Sequence, residues 1–317
     1  MLAHAISPDA AHDAARRPLG RRIDEAVRAH FDRAALTLVD RVEDPSDGFV
    51  KYLFRSPDGA LSEAVRIPLF KEGTYSVCLS SQVGCAMKCD FCATGRLGLS
   101  RNLAAWEIVG AFLGVRADTE GRLSNAVFMG QGEPFHNYDE VIRAARVLSH
   151  SCGGRVRANA ITISTVGLVP QIRRFTAEGH HYKLIVSLTS AIAAKRRSLV
   201  PIAGGRHSLE ETAAAIRAHA QATGDRVTVA WVLMAGVNDG PDEVAALQSL
   251  FAGTKIRLNL IDVNDARASG YRRATDAKRN EFIDRLQILQ IPIVRRYSGG
   301  SSKHAACGML AARRAAD

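Results

Sequence analysis

Apolar runs of four to seven residues recur along the chain, and most are followed by a stretch whose apolar positions repeat at helical spacing. The runs Tyr75–Ser80, Ala126–Met129, Ala160–Ser164, Leu184–Leu188, Val227–Leu233, Ile256–Leu260 and Ile291–Val294 read as strands. Between most of them, Ala104–Val115, Tyr138–Ser149, Leu209–Ala222, Pro241–Phe251 and Ala277–Leu289 read as helices. The strands are apolar without alternation, which predicts burial on both faces and hence a parallel sheet wrapped by helices. The expected fold class is α/β. In such a fold the reactive groups belong at the C-terminal ends of the strands.

The first 72 residues break this rhythm. Arg22–Val39 places Ile23, Val27, Phe31 and Leu36 at roughly helical spacing and predicts a short amphipathic helix. The turn cluster Asp44-Pro45-Ser46-Asp47-Gly48 closes that segment. Phe49–Phe54 and Ala64–Phe70, separated by Ser56-Pro57-Asp58-Gly59, predict a β-hairpin. The expected division is a basic helical segment over 1–45, a hairpin extension over 46–72 and a core over 73–317.

Composition narrows the class. A chain of 317 residues with 47% apolar and 23% charged side chains buries a sizeable core and is neither disordered nor fibrous. No apolar run has signal-peptide or membrane-span length, so a cytoplasmic protein without a membrane partner is expected. In that reducing compartment six cysteines are not expected to form structural disulfides. The net charge of +10, carried mostly by arginine, favours phosphate-bearing partners. A solvated, arginine-rich surface would give the same sum.

Three of the cysteines stand together. Cys85-Ala-Met-Lys-Cys89-Asp-Phe-Cys92 puts three soft thiols on one loop after the strand at 75–80. A structural zinc site would want a fourth ligand at ordinary spacing, and none follows nearby. Three ligands suit a 4Fe-4S cluster with one iron left open; zinc is the alternative.

The CxxxCxxC spacing, with Phe91 before the last thiol, resembles the radical S-adenosylmethionine (SAM) superfamily. The longer string Cys78-Leu-Ser-Ser-Gln-Val-Gly-Cys85 through Cys92-Ala-Thr-Gly resembles the RlmN/Cfr family of RNA adenine methyltransferases. The likeness covers roughly residues 49–312, including Met129-Gly-Gln-Gly-Glu133-Pro134, Ile163-Ser164-Thr165, Ser187-Leu188, Arg196, Leu233-Met-Ala-Gly-Val-Asn238-Asp239 and Ala305-Ala306-Cys307-Gly308. It implies a partial (β/α)6 TIM-like radical SAM barrel, a 4Fe-4S cluster on Cys85, Cys89 and Cys92, and SAM as cofactor. It also implies a monomeric enzyme served by a reducing flavodoxin- or ferredoxin-type electron donor.

Roles follow from the same resemblance. Gly130, Gly132 and Glu133 would meet the amino group of SAM, Ser164 and Asn238 would bond its carboxylate and ribose, and Pro134 and Ser187 would belong to the same cofactor site. Each is otherwise an ordinary turn residue. Cys307 would accept a methyl group from one SAM, and a radical made from a second would activate it for addition to a ring carbon of adenine. Cys78 would then release the product by forming a transient disulfide with Cys307, and Glu63 would take the ring proton. Cys152 is left as a bystander, and Arg196 would touch SAM or an RNA phosphate.

Three features depart from the family. The segment before the hairpin is short, Thr189 stands where the family has histidine, and Gly299-Gly300-Ser301-Ser302-Lys303-His304 replaces an acidic lead-in to the Cys307 loop. All three bear on the substrate. An adenine of 23S rRNA or tRNA, at C2 or C8, is the leading expectation. C-methylation of a small aromatic or nucleoside metabolite, and an inactive RNA-binding paralogue with a structural cluster, are the alternatives.

Overall fold

The computed structural model describes residues 36–264, 270–296 and 299–311. Four strands come first: β1 (Thr37–Glu43), β2 (Val50–Arg55), β3 (Leu61–Pro68) and β4 (Thr74–Leu79), each antiparallel to the one before. Two short strands, β5 (Gln82–Gly84) and β6 (Leu99–Asn102), pair off as a separate hairpin. The main sheet then continues from β4 in parallel through β7 (Arg122–Phe128), β8 (Ile161–Thr165), β9 (Lys183–Ser187), β10 (Val227–Leu233), β11 (Ile256–Asp262) and β12 (Ile293–Arg296). The parallel strands follow in chain order, so the sheet winds one way without closing on itself.

Helices fill the crossovers. α1 (Ala93–Leu97) and α2 (Ala105–Ala117) lie between β4 and β7, α3 (Tyr138–Ser149) follows β7, and α4 (Val169–Ala177) follows β8. α5 (Ala193–Leu199), α6 (Pro201–Arg206) and α7 (Leu209–Thr223) follow β9, α8 (Pro241–Phe251) follows β10, and α9 (Asp276–Leu286) follows β11. Six strand–helix units and a seventh parallel strand make the α/β barrel segment. Local signals set the helix ends: the Ser208 hydroxyl accepts from Glu211 N while Glu211 reaches back to Ser208 N, and Gly224 ends α7 at φ +71°.

The parallel strands β9, β10 and β11 each have two different buried faces. Val77, Leu79, Phe128, Ile163, Val186, Val229, Trp231 and Leu258 join one continuous core with helix residues such as Phe112, Val141, Phe175 and Phe282. At about 1.5–3 kcal/mol per fully buried large side chain, this layer holds the fold together. The opposite, concave face is covered instead by the C-terminal loop. There Ile185, Ala230 and Ile261 pack against Cys307, and Cys78 and Val65 pack against Ala305 and Leu310.

The hairpin expected over residues 49–70 is present as β2 and β3, which extend the main sheet. The helix expected over Arg22–Val39 lies mostly outside the described residues, but its end is corrected. Thr37, Leu38 and Val39 belong to β1, where pairing with β2 and the β-branched Thr37, Val39 and Val42 override helical spacing. The last strand begins at Ile293 rather than Ile291, after Pro292, which has no N–H to donate. Among the described residues no helix is long and apolar enough to cross a membrane.

Candidate active site

The three-cysteine loop is the tip of the β5–β6 hairpin, closed where Cys85 N donates to Gly98 O at 2.7 Å. Cys85 and Cys89 are buried and Cys92 is half-buried at the start of α1. Burial pushes the Cys85 thiol up to about 12, and raises Cys89 well above its usual value, with the charges of Cys92 and Cys85 adding to the effect. Such thiols ionise only when a cation compensates, which iron does. Among the described residues no three Cys, His, Asp or Glu side chains converge as a single-ion site requires. Three soft thiols on one loop, without the fourth ligand at ordinary spacing that a structural zinc takes, fit a cubane better than a mononuclear zinc.

The turn after β7 lies against this loop. Gly130 passes so close to β4 that a Cβ would sit 2.8 Å from Leu79 O, and Gly132 takes φ +100°. Glu133 is buried; one carboxylate oxygen accepts from Phe135 N at 3.0 Å, the other from Val166 N at 2.8 Å. It thereby caps the short 3-10 helix Pro134–Asn137, with Pro134 at its first position. Burial raises its carboxyl to about 7, against hydrogen bonds that pull it down. Gln131, which sequence reasoning passed over, is central: its carbonyl accepts from Ser81 N at 2.7 Å and its side-chain oxygen from Glu63 N at 3.3 Å, while its buried Nε2 has no partner among the described residues.

The remaining SAM candidates differ in what they are free to do. Ser164 and Ser187 are half-buried at the ends of β8 and β9, and the Ser187 hydroxyl lies 3.5 Å from that of Thr189. Thr189 is fully buried at φ +63°. Asn238 is fully buried, its amide donating to Thr189 O and Val232 O and its oxygen accepting from Met234 N. Asn238 therefore ties the end of β10 to the turn at Thr189, with its amide and its oxygen both engaged by backbone. Asn264, beyond β11, is the asparagine that reaches the site: its amide donates to Cys307 O at 3.1 Å. Arg196 is 1% exposed, which excludes contact with an RNA phosphate.

Cys78 on β4 and Cys307 share a cavity of about 40 Å³ lined also by Phe49, Ile67, Met129 and Arg296. Burial, with the charge of Cys307 adding to it and Arg296 opposing, pushes the Cys78 thiol up to about 12. Glu63, which a hairpin position would ordinarily leave in solvent, is buried and ion-paired with Lys51 at 3.3 Å. It lies on the same face of β3 as Val65, the register partner of Cys78. Lys51 and Arg296 left no trace in the sequence, because strand register alone brings them to the site.

The loop carrying Cys307 is held from two sides. Gly308 O accepts from Ala93 N at 2.8 Å, and Leu310 O accepts from the Thr94 hydroxyl at 2.6 Å, so it is bonded to the first turn of α1. On the other side Gly300 N donates to Asp47 at 2.7 Å and the Ser302 hydroxyl to Asp44. The Asp44–Gly48 turn thus clasps the unusual Gly-Gly-Ser-Ser lead-in. Asp47→Ala is expected to raise the alkylation rate of Cys307 several-fold relative to exposed Cys152, with Asp47→Asn closer to wild type because its amide oxygen still accepts. Equal rates in all three proteins, read by peptide mass spectrometry, would show that the clasp does not hold the loop.

These elements place the chain in the radical SAM superfamily, to which it belongs: the model described as "Radical SAM superfamily" matches residues 79–247. A relative from Anaeromyxobacter sp. (strain Fw109-5), described as a probable RNA methyltransferase, is 54% identical over 85% of this chain and 80% of its own. A probable dual-specificity RNA methyltransferase RlmN of Synechocystis sp. is 42% identical over 88% of this chain and 78% of its own. The crystal structure of a radical SAM methyltransferase from Sphaerobacter thermophilus superposes with a TM-score of 0.87 at 39% identity, covering 93% of this chain and 86% of the other. The protein is a radical SAM methyltransferase, with a 4Fe-4S cluster and SAM as cofactors.

Proposed function

We propose that this enzyme methylates a ring carbon, C2 or C8, of an adenine in RNA (23S rRNA or tRNA), with Cys307 as methyl carrier and Cys78 as resolving thiol. The observation that carries this reading is the shared cavity of Cys78 and Cys307, roofed by a loop bonded to the three-cysteine turn. The RNA methyltransferases among its relatives support the substrate class.

An amidine carbon of adenine is no nucleophile, so direct transfer from SAM is closed and a carrier is required. The half-buried Cys307 is the more accessible thiol: its sulfur bonds the methyl carbon as the sulfonium–methyl bond breaks, and its proton leaves to solvent. When bound, the cluster and a second SAM supply the one-electron chemistry that activates that methyl group. Glu63, held by Lys51, is the candidate base for the ring proton after the carbon bond forms, with the one unpaired electron left on the ring passing back to the cluster when it is bound. Cys78 then attacks the Cys307 sulfur; the S–S bond forms, the S–C bond breaks, and the released carbon takes a proton. Gly130, Gly132, Glu133, Ser164 and Ser187 line up at successive strand ends as SAM contacts, and Cys85, Cys89 and Cys92 as cluster ligands. A space of about 40 Å³ holds a methyl group but no purine, so the base enters as the Cys307 loop lifts. All six cysteines are free, which suits a reducing cytoplasm and a flavodoxin- or ferredoxin-type donor.

Nucleoside mass spectrometry of RNA from cells with and without the gene tests the substrate. Gain of 2-methyl- or 8-methyladenosine is expected, and identical profiles would overturn the RNA assignment. The resolving step carries its own pH signature. With Cys78 protonated up to about pH 12, its thiolate fraction grows with pH. Breakdown of the enzyme–RNA adduct should therefore speed up about tenfold per pH unit between 7 and 9. A flat profile in rapid-quench measurements would remove Cys78 from that step.

A further inference from the structure

We propose that Arg196 is a positioning residue whose fixed positive charge, sealed behind the three-cysteine loop, balances the anionic cluster held by Cys89 and favours its reduced state. The proposal rests on Cys89 being a cluster ligand.

The guanidinium is 1% exposed and sits among carbonyls. Nη1 donates to Ser187 O at 3.1 Å and Leu188 O at 2.5 Å, Nη2 donates to Val166 O at 2.6 Å, and Nε has no partner among the described residues. Among the described residues it forms no ion pair with a carboxylate. Glu133 meets the same residue, Val166, from its N–H side, yet does not reach the arginine. The other deeply buried arginine, Arg279, shows the contrast: it is ion-paired with Asp262 and Asp276.

Burying a cation without an anion is unfavourable, and carbonyl dipoles offset only part of that. Desolvation pulls this guanidinium down to about 10. The missing anion is next door. Arg196 interacts electrostatically with Cys89, and its helix is bonded to the cysteine loop where Asp90 N donates to Leu199 O at 3.2 Å. Gly167, at φ +104°, leaves room for the group, since a Cβ there would stand 3.0 Å from Nη2. A cluster on three thiolates is anionic and gains one further negative charge on reduction. A cation fixed beside one ligand in a low-dielectric interior stabilises that second state more than the first.

Charge and hydrogen bonding separate through two variants. Arg196→Lys keeps the charge and loses the fork; Arg196→Gln keeps an amide donor and loses the charge. In redox titrations of the anaerobically reconstituted enzymes, followed by electron paramagnetic resonance without SAM, Arg196→Lys should stay near the wild-type midpoint. At that potential Arg196→Gln should show a several-fold lower ratio of reduced to oxidised cluster, or fail to keep the cluster that Arg196→Lys retains. Two variants that behave alike, both at the wild-type midpoint or both without cluster, would overturn the charge role. Wild-type protein that takes up no cluster would overturn the ligand assignment on which it rests.

Discussion

Cys78→Ala should stop after a single addition, leaving RNA covalently attached through Cys307. Without the second thiol no S–S bond can form to displace the carbon, so the S–C bond persists. Multiple turnover is expected to fall by on the order of 10³-fold or more, as for other residues that act as a unit. The methyl group should still load, because Cys307 is the more accessible of the two thiols. Cys307→Ala should therefore differ in kind, with no protein methylation and no adduct. Denaturing gels of enzyme incubated with RNA, SAM and reductant, followed by peptide mass spectrometry, read both outcomes. A Cys78→Ala enzyme that turns over normally would show that another group releases the product.

The second large effect comes from a residue with no chemistry of its own. A Cβ at Gly95 would stand 2.8 Å from Cys89 O and 2.9 Å from Cys89 N, so alanine there must push the middle cysteine aside. Overpacking of this kind costs about 1–3 kcal/mol, and here the backbone of a proposed ligand takes the displacement. Gly95→Ala should reduce the iron and sulfide content of reconstituted protein several-fold while leaving the chain folded. Gly205→Ala is the control: nothing lies within 4 Å of its Cβ, and a helical glycine replaced by alanine is neutral or stabilising. Equal iron content in the two variants would mean that the loop relaxes around the added methyl.

The contrast between these residues shows what the chain discloses before it folds. The parallel strands were legible because burial on both faces writes continuous apolar runs, and the cysteine loop because its ligands are local. Cys78 and Cys307 were legible only through motif resemblance; nothing in spacing brings residues 229 positions apart into one cavity. Lys51, Gln131, Asn264 and Arg296 were not legible, since strand register and loop closure place them. Asn238 was misleading for the same reason. An asparagine after a strand reads as a ligand contact until its three hydrogen bonds are seen to be spent on the backbone of its own turn and of Thr189.

The bonds from Ala93 and Thr94 to Gly308 and Leu310 also bear on how the protein matures. The segment that braces the three-cysteine turn follows every parallel strand in the chain and leaves the ribosome after them. A nascent chain can fold every parallel strand and still have an unbraced, oxygen-accessible cysteine loop. Emergence of Cys307–Leu310 supplies both the brace and the proposed methyl carrier, so a chain that stops short of it lacks the two together.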